Sequence, residues 1–148
     1  MIRLRRIHQP GRRERGSAAV EAVIGVPAFL LFIALIIAAG RIAIAHQAVE
    51  AAAAEAARSA SIARTQGQAS VDGTSGATSS LGNQKLQCSS KQVSVDATGF
   101  ASPPGTAAHV TATVTCVVNL SDVAFPGLPG SRSITATMTS PIDTYRER

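Results

Sequence analysis

Between Ala22 and Gly40 the chain carries no charged or strongly polar side chain, and no other stretch restricts the fold as tightly. Its nineteen positions hold eleven Val, Ile, Leu or Phe, five Ala, two Gly and one Pro. A helix of about 20 such residues, rising ~1.5 Å each, spans the roughly 30 Å hydrocarbon core of a bilayer. Each large apolar residue favours insertion by about 0.3 to 0.6 kcal/mol, while Ala and Gly are close to neutral. Residues 17–40 are therefore predicted to form a transmembrane helix. The competing reading, a buried core helix, needs apolar cover on every side, and a chain of 148 residues has no second element able to supply it.

What precedes the span is basic. Residues 1–16 hold six arginines against Glu14 alone, whereas residues 17–148 balance eight basic against eight acidic groups. The net charge of +5 therefore sits entirely in the leader. Without interleaved aromatics, such a patch does not predict a nucleic-acid surface; before a span it holds the N-terminus in the cytoplasm. The leader has no helical or strand period and breaks at Pro10-Gly11, so it is expected to be disordered. Arg12-Arg13, with Ala43-Ile44-Ala45 as a cleavage site, offers the alternative of a removed export signal, although the apolar run exceeds the usual ~7–15 residues.

Beyond Gly40 the composition turns to alanine, with Ala45, Val49, Ala52, Ala56, Ala60 and Ala63 at spacings of three and four. This predicts that the helix continues over 41–64, making one rod from Ala18 to Arg64 with Ser17 as its cap and Pro27 as its kink. The small stripe suits packing on the chain's own domain or on other helices. Residues 65–84, rich in Ser, Thr, Gly and Gln, are predicted to be a linker or surface loop. Residues 85–148 read as a small β domain. Val93, Val95 and Ala97, then Val110 to Val118, then Ile134, Ala136 and Met138 alternate with Ser, Asp and Thr as half-buried strands do. Ser-Pro-Pro-Gly at 102–105 and Pro-Gly-Leu-Pro-Gly at 126–130 separate these strands as turns. A fourth edge strand is expected around Leu86 and Cys88, and the alanine stripe can cover the apolar sheet face. The expected fold class is thus α+β and membrane-anchored, a long N-terminal helix followed by a small antiparallel sheet.

Placing Arg41 onward outside the cytoplasm puts Cys88 and Cys116 where thiols oxidise. Cys116 faces inward with the valines of its strand, so the pair is expected to form a disulfide; two unconnected core cysteines are the alternative. Two cysteines without a histidine pair do not make a zinc set, and no metal or cofactor is expected. His8, His46 and His109 are scattered, as are the carboxylates, and no nucleophile motif or phosphate-cradling loop occurs. The chain does not read as an enzyme.

One carboxylate is out of place, because Glu21 lies just inside the apolar run, where charge is costly. It stands five residues after Gly16, behind a basic leader and ahead of a hydrophobic helix. That arrangement of Gly16, Ser17 and Glu21 resembles the class III signal of type IV pilins and pseudopilins. The stretch Arg15–Arg58 is similar to the TadE-like family of the tight-adherence (Flp) pilus apparatus in Gly16, Val20-Glu21, Pro27, Gly40-Arg41 and Ala56-Ala57-Arg58. It departs from the common pilin pattern at Ala22, where an aromatic is usual. The resemblance implies prepilin-peptidase processing between Gly16 and Ser17, with subunit assembly through Glu21 and Pro27. It implies as partners other pilin or pseudopilin subunits, membrane platform proteins, the peptidase and lipid. The expected function is that of a minor pseudopilin or assembly factor, anchored by a single pass with its C-terminal domain outside the cytoplasm. The alternative is a membrane-anchored binding or adhesion module that never enters a filament.

Overall fold

The structure, a computed structural model, describes residues 14–103, 105–121 and 130–145, with side chains in the first helix from Val20 onward. The leader before Glu14, Pro104, Asp122 and most of the second expected turn lie outside the described residues. The chain divides into two compact units, one ending at Ile37 and the other starting at Ala38.

Helix α1 runs from Glu14 to Ser61 and continues without interruption through Pro27. Its ends differ from those expected. Gly16 and Ser17 lie inside the helix, so Ser17 is not a cap. At the other end Ser61 donates its hydroxyl to the Arg58 carbonyl, and Thr65 is already extended as the cap of the next helix, so α1 cannot reach Arg64.

The largest correction concerns residues 65–84, which are not a linker. Gln66–Asn83 form helix α2, capped by Thr65, whose Oγ1 accepts from the Gln68 N–H at 3.2 Å. Its buried residues Ala69, Gly73, Ala77 and Leu81 recur every four positions, which is a helical stripe built of small groups. Gly73 is needed for this approach: a Cβ there would stand 2.9 Å from Val95 Cγ2 and 3.1 Å from the Ala56 carbonyl oxygen. The helix closes with Lys85 in the left-handed region (φ 55°), the Lys85 N–H bonding the Gly82 carbonyl and the Leu86 N–H the Leu81 carbonyl. Leu81 and Leu86 then both join the core, completing a Schellman ending with lysine where glycine is usual.

The sheet is antiparallel with order β1-β2-β3: β1 at Cys88–Asp96, β2 at Ala108–Asn119 and β3 at Ser131–Ile142. Among the described residues there is no fourth strand, because Cys88 opens β1 itself. A bulge between Cys88 and Ser90 lets one strand hold both the cysteine and the alternating valines. Val110, Ala112, Val114, Cys116 and Ile134 are fully or almost fully buried on one face. That face packs on Ala45, Val49, Ala52, Ala53, Ala56 and Ala57 of α1 and on Ala77 and Leu81 of α2. The alanine stripe therefore covers its own domain's sheet. Met138, expected inside, is 36% exposed near the free edge of β3. The other sheet face carries hydroxyls: Thr111, Thr113 and Thr115 pair with Thr139, Thr137 and Thr135 at 3.3, 2.9 and 2.9 Å.

Candidate functional site

In the first unit the features that matter are Glu21, Pro27 and the apolar side chains around them. Every large apolar side chain from Val20 to Ile37 is at least 39% exposed in the isolated chain. A helix so apolar on all sides is stable only where lipid or other helices replace water. Glu21 is also exposed, and among the described residues it makes no hydrogen bond or ion pair. Pro27 has no N–H, so the Val23 carbonyl lacks its ordinary helical donor. Gly16 and Ser17 lie on the backbone of α1, their surroundings being outside the described residues. This helix is long and apolar enough to cross a membrane and is the one such helix among the described residues.

In the second unit Cys88 and Cys116 are bonded, with Cα atoms 5.4 Å apart. β-strand geometry explains how they meet. Val93 and Val95 project to the helix-covered face opposite Val114 and Ala112, and residues at even positions of β1 would ordinarily take the hydroxyl face. The bulge reverses that alternation before Ser90, so Cys88 lies opposite Val118 and on the same face as Cys116. The sulfurs are therefore neighbours inside the core and do not titrate.

Two polar hollows accompany this core. An open groove between α1 and α2 is lined by Glu55, Ser59, Asp72, Ser79 and Gln84 among others. Its carboxylates are already engaged, Glu55 accepting from the Ser59 hydroxyl at 3.2 Å and Asp72 from the Gln68 amide at 2.7 Å. The second hollow lies at the end of the sheet, around Asp96, Thr98, Ser102 and His109. Among the described residues no group of three or more His, Cys, Asp or Glu could hold a metal ion.

Asp96 is held below its ordinary value of 3.8 chiefly by the Thr98 N–H, next by the Thr98 hydroxyl, with a small contribution from nearby His109 and slight desolvation acting the other way. A carboxylate whose folded pKa is lowered adds stability that is present above the unfolded pKa and lost as pH falls through the folded one. An NMR titration of the Asp96 carboxyl should accordingly give a midpoint below 3.8. Asp96→Asn should remove that part of the acid sensitivity; a midpoint at or above the ordinary value would show that the Thr98 bonds do not hold in solution.

The sequence thus marked Glu21, Pro27 and the cysteine pair, while α2, with Gly73 at its contact, went unread. Its signals were Thr65 as a cap and the four-residue spacing from Ala69 to Leu81. No curated protein and no solved structure matches the chain. A family model described as TadE-like protein matches residues 16–58, which take in Gly16, Ser17, Glu21, Pro27 and most of α1 and stop short of α2. By that match, residues 16–58 of this chain are similar to the TadE-like family.

Proposed function

We propose that this protein is a minor pseudopilin or assembly factor of a tight-adherence (Flp, type IV-like) pilus, acting through helix association in the membrane and not through turnover. One observation carries the reading: the TadE-like segment is the same stretch whose apolar side chains, from Val20 to Ile37, are exposed on the isolated chain. Such a surface is built to be covered, by lipid before assembly and by neighbouring helices after it. The arginine-rich leader is the cytoplasmic end in this reading, and the disulfide-bonded domain lies outside the cytoplasm.

Processing between Gly16 and Ser17 would release the arginines and create an ammonium group four residues before Glu21. In packed subunits the carboxylate of Glu21 would meet the ammonium of a neighbour, because a carboxylate among apolar helices needs a partner. Mass spectrometry of the protein from cells with active prepilin peptidase should show Ser17 as the N-terminus, and Gly16→Leu should retain the leader. Glu21→Gln should leave membrane insertion unchanged yet reduce co-purification with the other pilus subunits by roughly tenfold or more, the effect of losing ~1.4 kcal/mol or more of pairing. An intact leader together with undiminished co-purification would leave only a membrane-anchored module outside the filament.

A further inference from the structure

The second unit has a definite direction along α1, set by its two core clusters. Ala60 and Ala63 share one cluster with Ala97, Val110 and Ile142, whereas Ala45 and Val49 share the other with Cys88, Cys116 and Val118. The strands therefore lie beside α1 with Val118 and its partner Arg132 toward Gly40. Asp96, next to Ala97, and Asp143, next to Ile142, lie toward Ser61. Helix α2 returns along the same path, from Ala69 in the one cluster to Leu81 in the other, and the Gln84 amide donates to the Ala48 carbonyl at 3.4 Å. Lys85 thus stands at the Gly40 end as well. That end is level with the close of the apolar run, because Ala38, Ala39 and Gly40 belong to the second unit and Ala38 is only 5% exposed.

We infer that this end of the second unit is a docking surface for a bilayer of anionic lipid, with Lys85 and Arg132 taking the headgroup phosphates. Three observations select that occupant. The end is entered by α1 from an apolar run long enough to cross a membrane, so the headgroups of that membrane lie where the run gives way to Arg41. The charge there has one sign. Among the described residues Arg41, Lys85 and Arg132 are exposed at this end, and Glu50, the described acid nearest Arg41 along α1, is nine residues further on, ~14 Å at ~1.5 Å per residue. Finally, Lys85 and Arg132 are available, because among the described residues neither side chain has a hydrogen-bond or ion-pair partner. Lys91, by contrast, is turned onto α2, its ammonium reaching the Thr78 hydroxyl at 3.3 Å. An arginine fork and a lysine point charge both suit phosphate oxygens, and an anionic bilayer attracts such groups within about a Debye length of its surface. The inference needs α1 to lie in a bilayer and needs no pilus, so its failure and that of the function proposed above are separate.

The chain has no tryptophan, so a single introduced one reports alone. Full-length protein in phospholipid vesicles that include a lipid with a nitroxide on its headgroup tests the contact. Ser131→Trp places the reporter at the docking end, and Thr139→Trp places it on the same strand toward the other end. In vesicles that are half phosphatidylglycerol, Ser131→Trp should be quenched about twofold or more as strongly as in wholly phosphatidylcholine vesicles. Thr139→Trp should be quenched weakly in both. Adding Lys85→Glu and Arg132→Glu to Ser131→Trp should remove the dependence on lipid charge. Where that variant fails to fold, vesicles prepared in about 1 M sodium chloride, where the Debye length is ~3 Å, should remove it from the unreversed protein. Quenching of Ser131→Trp that ignores lipid charge, that keeps its lipid dependence in the folded reversed variant or in high salt, or that is no stronger than at Thr139→Trp would each overturn the docking.

Discussion

Replacing Cys88 and Cys116 together by alanine is expected to lower the stability of the second unit by about 3 to 4 kcal/mol. The bond joins residues 28 apart in sequence, and in the chain-entropy description closing a loop of that size restricts the unfolded chain by roughly that amount. Small domains hold only about 5 to 15 kcal/mol in total, so the loss is a large share. Cys116 is fully buried beside Val114 and Ile134, and alanine leaves a small void there that adds to the effect. Urea denaturation of the full-length protein in detergent, followed by far-UV circular dichroism, measures it. Wild type under reductant should unfold between the oxidised protein and the double variant, because its thiols still fill the space that alanine vacates. Equal midpoints for oxidised and reduced wild type would show that the cross-link contributes nothing.

The second large effect is expected at Gly73. A leucine there should cost about 3 kcal/mol or more and release α2 from its seat, because the space is already filled by Val95, the Ala56 carbonyl and Ala60. Even Gly73→Ala should destabilise, although alanine is favoured over glycine by ~1 kcal/mol in a helix. The backbone oxygen of Ala56 cannot move aside as a side-chain tip would. Gly82 provides the contrast: nothing lies within 4 Å of a Cβ added there, and Gly82→Ala should stabilise by up to about 1 kcal/mol. Thermal melts of the three variants give the ordering. Hydrogen exchange across residues 66–83 shows whether Gly73→Leu acts by freeing α2; protection there equal to wild type would refute the packing argument.

Much of this fold was readable before any coordinates because its signals are uniform. The apolar run is long enough for a membrane-crossing helix, and β2 and β3 alternate so regularly that the face of each residue follows directly, and its burial too except at Met138 near the free edge. Helix α2 escaped because its stripe is made of Ala69, Gly73, Ala77 and a single Leu81. Such residues contribute by allowing close approach, and a composition of Ser, Thr and Gly describes a linker equally well. Its ending was hidden too, since Lys85 occupies the left-handed position where a glycine would have marked the stop. Of the candidate site, the cysteine pair was legible from compartment and strand direction. The bulge that brings the cysteines together was not, because Ser89 and Ser90 carry no apolar pattern to register the extra residue. Glu21 was visible through its spacing from Gly16, and the role proposed for it rests on the family resemblance, not on any contact within the chain.

The bulge at the start of β1 also bears on how the domain reaches its native pairing. Without it, or with β1 slipped by one residue against β2, Cys88 would project to the hydroxyl face while Cys116 stayed in the core, and the thickness of the sheet would separate the sulfurs. Within a formed β1–β2 pair, the bond is therefore compatible only with the aligned register. In a sheet already formed the bond thus acts on alignment: a pair slipped by one residue keeps two free thiols, whereas the native pair holds them joined. A bonded chain therefore cannot slip its β1–β2 register by one residue while the sheet stays intact.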